Sequence, residues 1–86
     1  MSINKKQRKT LEAIFRNPVS PSIVWTDIEA LLEAVGASKS EGKGSRIRFK
    51  LNEIKAIFHR PHPEPITDKG AVKSVRRFLE AAGVKP

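Results

Sequence analysis

Two histidines and an alternating row of cations are the residues of this chain best suited to chemistry. His59 and His62 are its only histidines. A histidine titrates near neutral pH, so it can take up or release a proton during hydrolysis. Arg46, Arg48 and Lys50 precede them at every second position, and cations of this kind stabilise charge that develops on a phosphate group. The combination suits proton transfer beside a bound phosphate.

The cations belong to a predicted hairpin that has one apolar face and one cationic face. Apolar residues alternate with the cations over residues 46–51, and residues 54–59 alternate in the same way. Asn52–Glu53 between the two runs is predicted to form a tight turn. The resulting register pairs Leu51 with Ile54, Phe49 with Ala56, Ile47 with Phe58, Lys50 with Lys55 and Arg46 with His59. Because like charges opposite each other cost sheet stability, a cationic face without a carboxylate predicts an anionic ligand.

Composition limits the classes of protein to consider. With 86 residues the chain is expected to form one domain, residues 1–86, and the absence of cysteine excludes disulfides, a thiol nucleophile and a thiolate metal site. No apolar run approaches the roughly 20 residues of a membrane span, so we expect a cytoplasmic protein. We also expect it to be a monomer when free. The net charge of +8 divides into +4 over residues 1–16, −3 over residues 17–42 and +7 over residues 43–86. Basic segments of this kind attract nucleic-acid phosphates.

Helical periodicity surrounds the predicted hairpin. Residues 4–16 are predicted to form an amphipathic extension, and a second helix is expected to begin at Thr26, with Glu29 completing a capping box, and to end at Gly36. Trp25 is expected to pack in the core. Residues 37–41 are predicted as an edge strand, and a last helix follows a cap at residue 67 or 68. The fold class is therefore α+β, with a three-stranded antiparallel sheet packed by two helices and an additional N-terminal helix.

Other catalytic patterns are weak in this sequence. His59, His62 and Glu64 are poorly spaced for a metal site, so no metal and no cofactor is expected. Ser45 lacks the surroundings of a hydrolytic nucleophile. The preceding Gly42–Lys43–Gly44 lacks the spacing of a nucleotide-binding P-loop, and a bend into the central strand is the simpler interpretation.

Four segments carry a resemblance to a known family. They are Trp25–Thr26–Asp27 with the helix to Gly36, Lys43–Gly44–Ser45, Pro61–His62–Pro63, and Lys69–Gly70–Ala71–Val72–Lys73–Ser74. In this order, over a core of about residues 22–84, they resemble the HicA toxins, small ribonucleases of bacterial toxin-antitoxin pairs. Residues 1–17 form a helical extension outside that core. The resemblance implies a fold like the double-stranded RNA-binding domain, cleavage of mRNA without a metal ion, and a HicB-type antitoxin as partner.

One position departs from the family pattern. The family strand motif typically has the sequence Gly-Ser-His, and its histidine is held to be catalytic, whereas here the matching residue is Arg46. An arginine stays protonated and cannot act as a general base at neutral pH. Either the base has moved to His59, across the hairpin, or to His62 in the proline-rich loop, or the chain binds RNA without cutting it.

The candidate site residues follow from both arguments. His59 and His62 are the candidate catalytic residues, and the candidate RNA-binding residues are Lys43, Ser45, Arg46, Arg48, Lys50, Lys55 and Lys73. The alternatives are a non-catalytic RNA-binding module, or a DNA-binding or adaptor domain that uses Arg76 and Arg77 of the last helix. The cations of the N-terminal helix, Lys5, Lys6, Arg8 and Lys9, could contact RNA or an acidic antitoxin.

Overall fold

Three helices and one antiparallel sheet make up residues 2–86, the part of the chain that the computed structural model describes. In chain order the elements are α1 (Lys5–Ile14), α2 (Trp25–Ala34), β1 (Ser38–Glu41), β2 (Arg46–Leu51), β3 (Ile54–His59) and α3 (Lys69–Ala81). The strand order in the sheet is β1-β2-β3, and both strand pairs are antiparallel. The predicted α+β fold with an additional N-terminal helix is confirmed. No helix within residues 2–86 has the length and apolarity needed to cross a membrane.

The β2–β3 hairpin has the register that its alternation predicts. Leu51 pairs with Ile54 at the turn, and Arg46 pairs with His59 at the far end. Asn52 and Glu53 form the turn with φ angles of 50° and 68°, the left-handed backbone of the two-residue turns that suit strand twist. The Asn52 side-chain amide donates a hydrogen bond to the Ala82 carbonyl at 2.7 Å. The hairpin tip is therefore fixed to the end of α3.

The hydrophobic core lies between one face of the sheet and the helices. The Phe58 ring packs against Trp25 of α2, with ring centroids 5.8 Å apart, and against Phe78 of α3 at 5.9 Å. Both helices therefore cover the same face of the sheet. Trp25 is only 3% exposed, which confirms it as a packing residue. Ile47 and Phe49 of β2 are buried beneath the same helices.

The predicted start of α2 at Thr26 is wrong by one residue. The helix begins at Trp25, its N-cap is Val24, and no side chain caps it. Val24 forms an antiparallel bridge with Ile66, and the Trp25 amide donates to the Pro65 carbonyl at 2.8 Å. Backbone pairing thus satisfies a terminal amide that a cap would otherwise serve. Glu29, expected in a capping box with Thr26, instead accepts hydrogen bonds from Trp25 Nε1 and from Arg60.

The extension helix α1 is packed firmly against the other two helices. Leu11 and Ile14 are buried. Arg76 of α3 donates from Nε to the Ile14 carbonyl at 2.8 Å and from a terminal nitrogen to the Arg16 carbonyl at 2.7 Å. Arg76, named above for the alternative DNA-binding or adaptor domain, thus supplies guanidinium donors to the end of α1. Asp68 caps α3 by accepting from the Ala71 amide at 2.8 Å.

Candidate functional site

The sheet face that points away from the helices is cationic. Lys50 of β2 pairs with Lys55 of β3, and Ser38 and Ser40 of β1 lie beside β2 on this face. Alternation of the strands places no carboxylate on it. Near it, Glu53 in the turn approaches Lys50, with Oε1 3.8 Å from Nζ, and Glu53 is largely exposed. We call this surface the open face; its exposed residues are Ser38, Ser40, Arg46, Arg48, Lys50, Lys55, Ile57 and His59.

A shallow trough crosses all three strands of the open face. It holds about 370 Å³, and its lining includes Ser40, Arg48, Lys55 and Ile57. The small serine side chains of β1 leave the depression open on one side. On the other side of the trough, Ile57 is 60% exposed, so an apolar surface lies among the cations. The trough can hold a phosphate together with a less polar sugar or base. Alternation placed Ile57 on the cationic side, but the sequence argument assigned it no role.

His59 lies where the open face meets α3. It is exposed and pairs across the strands with Arg46. A hollow of about 250 Å³ beside it is lined by Asp68, Ala71 and Ser74 from the start of α3. His59 therefore has the cation Arg46 on the neighbouring strand, and the Asp68 carboxylate and the Ser74 hydroxyl line its hollow. Sequence analysis assigned Asp68 only a capping role, because its approach to β3 depends on tertiary packing.

His62 occupies a different hollow from His59. The loop after β3 places it with Gly44, Ser45, Arg60 and Pro61 around a volume of about 360 Å³. The structure thus brings His62 to the Gly-Ser segment of the family motif and leaves the two histidines in separate hollows.

The remaining candidate residues differ in their relation to the histidines. Lys43 is exposed in the loop that also carries Ser45. Lys73 is exposed on α3 but lines neither of the hollows that contain a histidine.

Arg60 anchors the start of the His62 loop through two carboxylates. Its Nε and one terminal nitrogen donate to Glu29 at 2.7 and 3.2 Å, and its terminal nitrogens donate to Glu41 at 2.6 and 2.9 Å. The Arg60 amide also donates to the Ser45 carbonyl at 2.9 Å. Lys39 Nζ approaches Glu29 Oε1 at 3.9 Å. This arrangement joins α2, β1 and the loop at one point.

The ion pairs shift the titration of their members. Burial raises the pKa of Glu29, but the hydrogen bonds from Arg60 and Trp25 outweigh burial and leave the pKa below its ordinary value of 4.5. The hydrogen bond from Arg60 lowers the pKa of Glu41. Hydrogen bonds to Glu41 and Glu29 raise the pKa of Arg60. All three groups are therefore charged at neutral pH. Sequence analysis missed this network, because its members come from three separate segments.

Possible metal ligands are dispersed. Among residues 2–86, no three histidine, aspartate or glutamate side chains lie close enough together to hold a metal ion. His59, His62 and Glu64 therefore do not form a three-ligand site.

The core that carries the open face and both histidines matches a known family. Residues 25–84 match the model of the family described as the HicA toxin of bacterial toxin-antitoxin systems, which is more than half of the chain. The chain belongs to the HicA toxin family. The HicA match includes the hairpin, both histidines and the Arg60 network, whereas α1 precedes it. No curated protein and no solved structure gives a significant match to the chain.

Proposed function

We propose that this HicA family toxin binds RNA on its open face and cleaves it without a metal ion, with His59 as the proton-transfer group. The pairing of Arg46 with His59 carries this proposal. It places an exposed imidazole directly across from the position where the family pattern has a histidine. The His59 side chain also shares the open face with the cations that would hold a phosphate.

Charge supports RNA as the ligand of the open face. Arg48, Lys50 and Lys55 are all exposed there, and adjacent like charges become favourable when an anion lies between them. Arginine and lysine side chains are among the usual partners of nucleic-acid phosphates. Binding that depends on them weakens as salt increases, because the release of counterions into a more concentrated salt solution gains less entropy.

The chemistry needs one base, one acid and cations. A neutral His59 would accept the proton of the ribose 2′-hydroxyl, and the 2′-oxygen would then attack the adjacent phosphorus. The bond from phosphorus to the 5′-oxygen breaks, and that oxygen leaves with a proton from water. Arg46 and Arg48 would stabilise the charge on the phosphate in the transition state. The products are a 2′,3′-cyclic phosphate and a 5′-hydroxyl end.

His62 is the alternative proton-transfer residue. It shares a hollow with Ser45, and the Arg60 network fixes the loop beside α2 and β1. An RNA that crosses the Gly-Ser segment would therefore pass His62 rather than His59. Substitution of each histidine separates the two assignments.

RNA binding without cleavage is the second candidate function. Arg46 favours it, because an arginine occupies the strand position that carries the catalytic histidine in the family pattern. In this case the open face would hold a message and block its translation without cutting it.

The deciding experiment follows cleavage of a long end-labelled RNA by EDTA-treated protein on a denaturing gel. Wild type, His59→Ala and His62→Ala are compared, with circular dichroism and RNA affinity measured for each. Cleavage that is lost in His59→Ala, with affinity retained, supports the leading proposal, and loss only in His62→Ala moves the role to His62. Full cleavage by both variants contradicts both assignments. Intact RNA that the wild type nevertheless binds supports the second candidate.

Family membership supports a HicB-type antitoxin as the protein partner. An acidic surface on such a partner would complement the net charge of +8. Co-purification with a candidate antitoxin, together with restored growth of cells that express both proteins, tests this pairing. Growth inhibition that persists despite complex formation would contradict it.

A further inference from the structure

A second cationic surface lies on the helical side of the molecule, away from the open face. Helix α1 and the segment leading into α2 enclose a groove of about 330 Å³. Three cations line it, Lys6, Lys9 and Arg16, together with one carboxylate, Asp27. The lining also includes Ser20 and Ser22, and most of it is polar. We call this surface the α1 groove.

The α1 groove has a fixed shape. Leu11 and Ile14 bury the inner side of α1 in the core, and Arg76 binds the carbonyls of Ile14 and Arg16. Lys6 Nζ lies 3.3 Å from Asp27 Oδ1, which joins the two walls. Lys9 and Arg16, the other two cations of the groove, are exposed and have no carboxylate partner among the ion pairs of residues 2–86. The groove thus has a positive charge that the fold itself does not use.

The α1 groove reaches the start of α2. Its lining ends at Val24 and Asp27, on either side of the first residues of α2. Trp25 and Thr26, which lie between these two residues in the chain, line a different hollow that includes Pro61. Pro61 also lines the hollow of His62 and Ser45. The α1 groove shares no lining residue with either of these hollows, so it is a separate surface.

We propose that the α1 groove binds the phosphodiester backbone of RNA that extends beyond the cleavage region, with Lys9 and Arg16 as phosphate ligands. This inference rests on the proposed function, since it assigns a second contact to the same RNA. Lysine and arginine side chains and hydroxyl groups are the usual partners of backbone phosphates, and the α1 groove offers all three. An acidic polypeptide is the alternative ligand, and the test below separates the two.

A charge-matched pair of double variants tests the proposal. Lys9→Gln with Arg16→Gln removes one lysine and one arginine from the α1 groove and keeps the Lys6–Asp27 pair. Lys5→Gln with Arg8→Gln removes the same two residue types from α1 at positions that do not line the groove. Both proteins are checked for folding by circular dichroism. Affinities are measured for RNAs of about 5 and about 25 nucleotides, because single-strand sites cover about 4 to 16 nucleotides.

The groove variant is expected to bind the long RNA about 10-fold more weakly than the control variant at low salt. Its slope of log affinity against log salt should be shallower by about 1.4, since two phosphate contacts are lost at about 0.7 each. Affinity for the short RNA should be equal in the two variants. Equal losses for the long RNA would overturn the proposal, because they would show an effect of net charge alone. Affinity for polyglutamate is measured in parallel. If the groove variant loses affinity for polyglutamate but binds both RNAs as the control variant does, the groove would be assigned to an acidic polypeptide, which would also overturn the proposal.

A third variant separates this inference from the proposed function. Arg48→Gln with Lys50→Gln removes cations from the open face only. If it binds the short RNA as well as wild type does, the open-face proposal fails. If it loses short-RNA binding while the groove variant equals its control, only the α1 groove inference fails.

Discussion

Arg46 and His59 face each other across the β2–β3 pair, and both side chains are exposed on the open face. The HicA family pattern has a histidine at the position of Arg46. In this chain the imidazole at that level of the sheet comes from the neighbouring strand, beside the start of α3. The arrangement keeps a titratable group and a permanent cation side by side, which is what cleavage of a phosphodiester needs.

Arg46→His tests whether the strand position can still support catalysis. In a His59→Ala background we expect this change to restore cleavage by at least about 10-fold, because general acid–base catalysis contributes about 10²–10⁴. Initial rates on a labelled RNA provide the measurement. Arg46→Gln in the same background is the control for loss of charge, and equal rates in the two proteins would contradict the relocated-base proposal.

Arg60→Ala should destabilise the fold and displace the His62 loop. The change leaves Glu29, whose side chain is mostly buried, without its main donor, at a cost of about 2 kcal/mol. Urea unfolding measures this cost, and the amide signals of His62 and Glu64 in NMR spectra report the loop. Arg60→Lys keeps the charge but not the four hydrogen bonds, so it should recover only part of the stability. Full stability in Arg60→Ala would show that the network contributes little.

Stability should fall in acid partly because of Glu29. Its pKa in the folded protein lies below 4.5, so the unfolded chain binds more protons in that range. The ionised pair with Arg60 therefore stabilises the fold above about pH 4.5, and this contribution is lost as the pH falls through the folded pKa. The free energy of unfolding of wild type should exceed that of Glu29→Gln at pH 7, and the difference should shrink towards pH 3. Glu12→Gln, at an exposed position on α1, is the matched control; a difference for Glu29→Gln that does not change with pH would refute the assignment.

Arg76→Ala should loosen α1 from the core. Two hydrogen bonds from a charged donor to the carbonyls of Ile14 and Arg16 are lost, which corresponds to about 2 kcal/mol. Hydrogen exchange at the α1 amides should become faster, and urea unfolding gives the total change. Arg77→Ala is the control, because within residues 2–86 the Arg77 side chain donates a hydrogen bond only to the Ser74 hydroxyl, and its loss should change stability by about 0.5 kcal/mol or less. Equal effects of the two changes would argue against the anchoring role.

Thr67→Val should stabilise the protein by about 1 kcal/mol. Thr67 is 1% exposed, and its hydroxyl is buried without a hydrogen-bond partner among residues 2–86. Valine keeps the shape of threonine and removes this unpaired group. Thr10→Val is the comparison, since the Thr10 hydroxyl donates to the Lys6 carbonyl at 3.1 Å and its removal should not stabilise. Thermal unfolding of both variants provides the measurement, and a destabilised Thr67→Val protein would indicate a partner for that hydroxyl.

Local periodicity was enough to predict the hairpin and the helices. Alternation over residues 46–51 and 54–59, with only two residues between them, fixes a register, because a shift of one residue would move every apolar side chain to the wrong face. The same alternation predicted the cationic face and the cross-strand position of His59. The helical repeats gave α1, α2 and α3 to within a few residues.

Long-range contacts decided what local patterns could not. Thr26 was expected to cap α2, but the bridge between Val24 and Ile66 moved the start of the helix to Trp25. Glu29 and Arg60 are far apart in the chain, and only packing of the loop against α2 makes them partners. The separation of His59 from His62 into two hollows depends on the same packing. The sequence by itself determined which residues could bind a phosphate and move a proton, since residue type and strand alternation are local properties. Tertiary structure decided which of them meet, because that depends on how distant segments bury their apolar faces together.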